Sequence, residues 1–183
     1  MRGDVILKNI TKEQVLSSQT NAENQIHSLI ANTDMEDNDD RKRTKNYCDW
    51  ISKKTDYMIN EKAFNEKDPI YSKIKRGSVI WVEFGFNIGV EFGGKHPAIV
   101  LRRAGSSIFV IPLSSQMPRE IKPNHVRIDK VYGFKNLIRW ANVLKMQNVS
   151  IQRVDISESA SIGNVKGDVL NKINEAIKNT HIY

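Results

Sequence analysis

Cysteine is nearly absent: Cys48 is the single thiol in 183 residues. A lone cysteine excludes an intramolecular disulfide framework and every multi-cysteine zinc site, and a reducing cytoplasm is the expected setting. No apolar run approaches the ~20 residues needed to span a bilayer. Met1–Lys8 lacks the longer apolar core of a signal peptide, so no leader is expected. The four histidines, His27, His96, His125 and His181, are scattered, and no pair has a metal-ligand spacing. Neither a metal nor a cofactor is expected. Gly85, Gly89, Gly93 and Gly94 do not follow a Walker or dinucleotide spacing, and no helix is expected after them. Internal repeats and long low-complexity segments are also missing.

Acidic residues are scarce in only one part of the chain. Residues 1–72 carry 11 Lys/Arg and 13 Asp/Glu, whereas residues 73–183 carry 17 and 8. The second segment therefore attracts polyanions, nucleic acid first.

Two helices are expected in the first segment. Thr11 followed by Glu13 and Gln14 suits a capped start, and Val15, Leu16, Ala22, Ile26, Leu29 and Ile30 then form one thin apolar stripe. Such a stripe needs a partner, either the next helix or a second subunit. Residues 34–40 form an acidic run, read as a solvated linker. The second helix is expected over Arg41–Phe64, with Tyr47, Trp50, Ile51, Lys54, Met58 and Ala63 at helical spacing. Its basic start, Arg41, Lys42, Arg43 and Lys45, lies at the wrong end for the helix dipole. Lys67-Asp68-Pro69 is expected to break it, giving a helical extension over 1–72 and a main domain over 73–183.

After residue 75 the pattern becomes short strands rich in Val and Ile, expected at 78–84, 97–103, 107–113, 124–129 and 138–151, the last bent or broken. Ala104-Gly105-Ser106 reads as a hairpin turn. Close-spaced strands with tight turns imply a twisted antiparallel barrel-like sheet. Ile162–Ile177 reads as a closing helix with Val165, Val169, Leu170, Ile173, Ala176 and Ile177 on one face. Trp81 and Trp140 read as core residues.

Gly77–Gln116 holds the chemistry. A glycine-rich loop carrying Glu91, Lys95 and His96 is closed by Pro97, and the Ile108–Leu113 run delivers Ser114, Ser115 and Gln116. A histidine titrates near neutrality and serves as base or acid. A lysine neutralises phosphoryl charge as a point cation. Hydroxyls donate to phosphate oxygens, and paired glycines permit close backbone approach.

Arg76-Gly77-Ser78-Val79-Ile80-Trp81-Val82-Glu83, the loop Gly89-Val90-Glu91-Phe92-Gly93-Gly94-Lys95-His96-Pro97, and Pro112-Leu113-Ser114-Ser115-Gln116 together resemble the MazF/PemK family of toxin–antitoxin toxins. The resemblance covers about residues 75–180, is strong over 76–116, and continues in diverged form over Val143–Val154. It implies an α+β fold: a small antiparallel SH3-like, PemK-type β-barrel with a C-terminal helix, here preceded by an N-terminal helical extension.

The resemblance also implies a metal-independent, sequence-specific endoribonuclease acting on single-stranded RNA, leaving 2′,3′-cyclic phosphate and 5′-hydroxyl ends. The expected catalytic residues are His96, Lys95 and Ser114. Substrate binding is expected at Phe92, Gly93, Gly94, Ser115, Gln116 and Arg119. Well-known members have arginine immediately before the proline, where this chain has His96, and a catalytic threonine where it has Ser114. Distantly similar ToxN-type toxins use a lysine with a hydroxyl residue, which Lys95 and Ser114 match, so the sequence leaves open whether His96 or Lys95 is the key basic residue. Glu91 is read as fixing the loop or a dimer contact. The expected partners are RNA, a cognate antitoxin and a second copy of the chain; the extension is read as mediating dimerisation, antitoxin binding or substrate access. The alternatives are a CcdB-like toxin that binds DNA gyrase without catalysis and an inactive RNA-binding relative.

Overall fold

A computed structural model describes residues 9–157 and 160–180. Met1–Lys8 and His181, both used in the sequence reading, lie outside the described residues. The chain divides into two compact units, residues 1–53 and 54–183. Among the described residues no helix is long and apolar enough to cross a membrane.

In the first unit, helix α1 spans Lys12–Ala31. Its start is a complete capping box: the Gln14 N–H donates to Thr11 Oγ1 at 3.3 Å, and the Thr11 N–H donates to Gln14 Oε1 at 2.9 Å. None of its side chains is buried. Helix α2 spans Asn38–Ile59, starting three residues before the expected Arg41. The end of the acidic run is therefore the first turn of the helix rather than linker. Asp39 and Asp40 occupy that turn, where they complement the dipole, and Asp37 Oδ1 accepts the Asp39 N–H at 2.7 Å. The Arg41–Lys45 cations thus do not open the helix.

Helix α2 ends well before Pro69. A 3-10 turn follows at Glu61–Ala63, and the proline begins helix α3, Pro69–Ser72, instead of ending α2. Asp68 caps α3 by accepting the Ile70 N–H at 3.0 Å, and proline suits a first helical turn because its missing N–H would be unpaired there anyway.

Seven antiparallel strands follow: β1 (Ser78–Glu83), β2 (Lys95–Ala104), β3 (Ser107–Ser114), β4 (His125–Ile128), β5 (Arg139–Asn142), β6 (Gln147–Ser150) and β7 (Gly163–Asn164). They form one curled sheet in the order β4-β5-β3-β2-β1-β7, with β6 pairing the start of β3. The curl almost closes, since Tyr132, just after β4, bridges Asn164 on the opposite edge. The expected hairpin at Ala104–Ser106 is present, with Gly105 at φ +60° between paired Ala104 and Ser107. The expected strand over 138–151 is broken by a 3-10 turn at Val143–Lys145.

Helix α4 spans Gly167–Asn179, five residues later than the expected start. Residues 163–164 are instead paired to β1, where a side chain on Gly163 would stand 2.4 Å from the Tyr132 carbonyl oxygen.

Strand alternation sorts the core onto the two faces of the sheet. One face carries Val79, Ile99, Leu101, Ile111 and Leu113 and is covered by Ile173 and Ala176 of α4. The other carries Ile80, Val82, Phe84, Ala98, Val100 and Val110, covered by Tyr71, Ile74 and Val154. Trp81 and Trp140 are only partly buried, contrary to the sequence reading. Trp81 stacks on Phe134 at 5.9 Å between ring centroids.

Candidate active site

The loop between β1 and β2 is closed at its neck by two backbone hydrogen bonds: Phe84 N–H to the Gly94 carbonyl at 2.8 Å, and Gly94 N–H to the Gly85 carbonyl at 2.6 Å. The two adjacent glycines have different reasons to be there. Gly94 adopts φ +79°, the region that favours glycine. At Gly93 a Cβ would stand 2.6 Å from the Gly85 carbonyl oxygen.

Within the loop, Glu91 Oε2 accepts the Ile88 N–H at 3.2 Å, so Glu91 does fix the loop. Asn87 donates to the Phe92 carbonyl at 2.6 Å, and Lys145 Nζ ties the Val90 carbonyl at 2.7 Å. The Phe92 ring turns inward, edge-on to Phe84 at 5.2 Å and against the His96 ring at 4.7 Å.

His96 lies opposite Val82 of β1. On its other side, β2 and β3 pair Ala98 with Pro112 and Ile99 with Ile111. Continuing that antiparallel register by two residues sets His96 across from Ser114. Directly opposed residues project to the same face, so the imidazole and the hydroxyl share one face. Burial holds the His96 pKa below its ordinary value, opposed by the Leu113 backbone carbonyl and by the negative charge of Glu83. The ring therefore favours the neutral form at pH 7, the form able to accept a proton. Ser114 Oγ accepts the Gln116 N–H at 3.0 Å. That uses one lone pair and leaves the hydroxyl hydrogen as a donor.

Lys95 points the other way. Adjacent strand residues project to opposite faces, and Lys95 Nζ makes an ion pair with Asp155 Oδ2 at 2.5 Å. Of the two basic residues, His96 alone shares a face with Ser114. Ser115, Gln116 and Arg119 are exposed in the segment that leaves β3, and among the described residues no recorded contact links Arg119 to His96 or Ser114.

Sequence reasoning missed Asp155 as a partner of Lys95, because it lies 60 residues further along. It also missed Lys145, which hems the loop, and Glu83 as a charge acting on His96. The β1–β2 pairing that brings Glu83 opposite Lys95 was the one usable signal. Among the described residues no group of three or more His, Cys, Asp or Glu side chains could hold a metal ion.

Comparison with known proteins covers the same part of the chain. The sequence profile described as "PemK-like, MazF-like toxin of type II toxin-antitoxin system" matches residues 75–181. The chain is 27% identical over 111 residues to Endoribonuclease EndoA of Bacillus subtilis (strain 168), covering 57% of this chain and 91% of that protein. Solved structures similar to it include MazF from Deinococcus radiodurans, at TM-score 0.45 and 20% identity, covering 58% of this chain and 94% of that one. Another is a mycobacterial endoribonuclease in complex with its cognate antitoxin, at TM-score 0.43 and 16% identity, covering 60% and 97%.

Proposed function

Because this chain belongs to the PemK-like, MazF-like toxins of type II toxin–antitoxin systems, we propose that it is a sequence-specific endoribonuclease that cuts single-stranded RNA without a metal. RNA carries its own nucleophile. A neutral His96 takes the proton of a 2′-hydroxyl, the oxygen attacks the adjacent phosphorus, and the P–O5′ bond breaks. The products are a 2′,3′-cyclic phosphate and a 5′-hydroxyl end; the leaving oxygen takes a proton from water, and His96 releases its own to solvent. Ser114 donates its hydroxyl hydrogen to a phosphoryl oxygen as negative charge grows there. The substrate reaches the pair over Gly93 and Gly94, with Phe92, Ser115, Gln116 and Arg119 beside its path.

The observation that supports this most is the β2–β3 register, which pairs Ala98 with Pro112 and, continued by two residues, sets His96 across from Ser114. The nearby carbonyl of Leu113 and carboxylate of Glu83 favour the imidazolium once a proton has arrived. A cognate antitoxin opposes this activity, and two copies of the chain act together in the cytoplasm.

The test is incubation with mixed-sequence single-stranded RNA in EDTA, followed by analysis of the ends. Discrete cuts with 2′,3′-cyclic phosphate ends are expected. Intact RNA with folded, antitoxin-free protein would overturn the proposal, and a DNA-damage response on induction in cells would favour gyrase binding instead.

A further inference from the structure

Asp155 is held more firmly than an ordinary surface carboxylate. Its own N–H donates to the Trp81 carbonyl at 2.9 Å, which ties the residue to β1. Its Oδ1 accepts the Ser157 N–H at 2.9 Å. The residue before it, Val154, is buried and bridges Val82. The Asp155 side chain is 21% exposed, whereas that of Lys95 is 47% exposed. Asp155 is thus the fixed end of the ion pair and Lys95 the end being held. The hydrogen bond from Lys95, then that from Ser157, draws the Asp155 carboxyl down to about 2.

What this pair holds is the end of a ladder. Glu83 opposite Lys95 is the last recorded pair between β1 and β2 before the glycine loop departs. His96 is the next residue inward. Just beyond the Glu83–Lys95 pair the backbone hydrogen bonds of the loop neck join Phe84 and Gly85 to Gly94, and Asp155 adds a side-chain anchor on Lys95 from the face that His96 does not use.

Resting on the endoribonuclease reading above, we infer that Asp155 is a positioning residue: by anchoring Lys95 on the far face of β2 it holds the His96 imidazole against Phe92 and opposite Ser114. Lys95 then acts through Asp155 and makes no contact with RNA phosphate. To reach the His96 face, its ammonium would have to leave Asp155 and cross the strand.

The test uses the full chain with Asp155→Asn, Lys95→Ala, the double substitution, and Asp155→Glu as the conservative variant. The first readout is the His96 imidazole titration followed by NMR, which needs no activity. Loss of anchoring loosens the burial that lowers the His96 pKa, so both single variants move it upward, toward the unburied value. A purely electrostatic effect moves it in opposite directions, down when the carboxylate is removed and up when the ammonium is removed. The second readout is cleavage of a single-stranded oligonucleotide. Each single variant is expected to lose about tenfold in kcat with KM unchanged, short of the ~100-fold that a 1 Å misplacement costs. The double variant is expected to be no worse than either single one, and Asp155→Glu to recover part of the loss.

Two results overturn the inference. One is an unchanged His96 titration, or one moving in opposite directions in the two single variants. The other is a Lys95→Ala variant whose RNA binding loses ~0.7 from its log–log salt slope, the mark of one lost phosphate contact to a single strand, with Asp155→Asn binding more tightly. If the wild type cuts no RNA, the nuclease reading fails and the His96 titration alone decides the positioning role.

Discussion

The Phe92 ring packs against the His96 imidazole, with centroids 4.7 Å apart and planes inclined by 59°. Phe92 belongs to the loop and His96 to the strand that the loop enters, so the contact joins the glycine-rich loop to the group proposed to move a proton. It also supplies part of the burial that depresses the His96 pKa.

Replacing Phe92 with alanine is therefore expected to raise the His96 pKa toward its ordinary value near 6.5. The base form is lost as pH falls through the folded-state pKa. In the wild type that loss comes below pH 6.5, and in Phe92→Ala the acid limb of kcat/KM shifts upward. An NMR titration of His96 beside a pH–rate profile checks both.

Ser114→Ala removes the hydroxyl donor while leaving the buried core untouched. A loss on the order of 100-fold in kcat is expected, as for one donor to a developing oxyanion, with the melting temperature nearly unchanged. Ser114→Thr keeps the hydroxyl and is expected to stay within a few-fold of the wild type. Steady-state cleavage of a short RNA and thermal unfolding separate the two effects.

Gly93→Ala tests the neck of the loop. A Cβ there meets the Gly85 carbonyl oxygen at 2.6 Å, so the adjacent hydrogen bond from Gly94 to Gly85 cannot keep its geometry. Destabilisation of about 1–3 kcal/mol is expected, with RNA binding weakened further than the fold. Chemical denaturation and fluorescence anisotropy would measure the two.

The Lys95–Asp155 pair has a pH signature. Asp155 titrates from about 2 in the folded chain against an ordinary 3.8. A depressed carboxyl contributes stability above pH 3.8, and the contribution fades as pH falls toward 2. Asp155→Asn is expected to cost about 1 kcal/mol at pH 7 after solvent screening of the half-exposed lysine. The difference from wild type should shrink steadily from about pH 4 downward and vanish only below about pH 2, as urea unfolding at several pH values would show.

Much of the barrel was legible because alternation and turn chemistry are local. The Val/Ile runs gave β1 to β4 within a few residues, and Gly105 marked the hairpin. The short β7 was not legible: Gly163 and Asn164 have no strand propensity, and their pairing depends on β1 and Tyr132 arriving from far along the chain. The start of α2 was misread because the acidic run looked like linker, whereas Asp39 and Asp40 favour a helix start. At the candidate site the sequence presented Lys95 and His96 as equals. Strand alternation separates them once the register is known, and only the tertiary fold brings Asp155 to Lys95.

The most direct test of the central claim is the single-turnover cleavage rate of His96→Gln on a single-stranded RNA, measured in EDTA across pH 5–9 beside the wild type. A loss of about 100- to 10,000-fold, the usual contribution of a positioned acid–base group, is predicted, together with disappearance of the limb that titrates below pH 6.5. Cleavage within a few-fold of the wild type, with that limb intact, would contradict the assignment of His96 as the group that moves the proton.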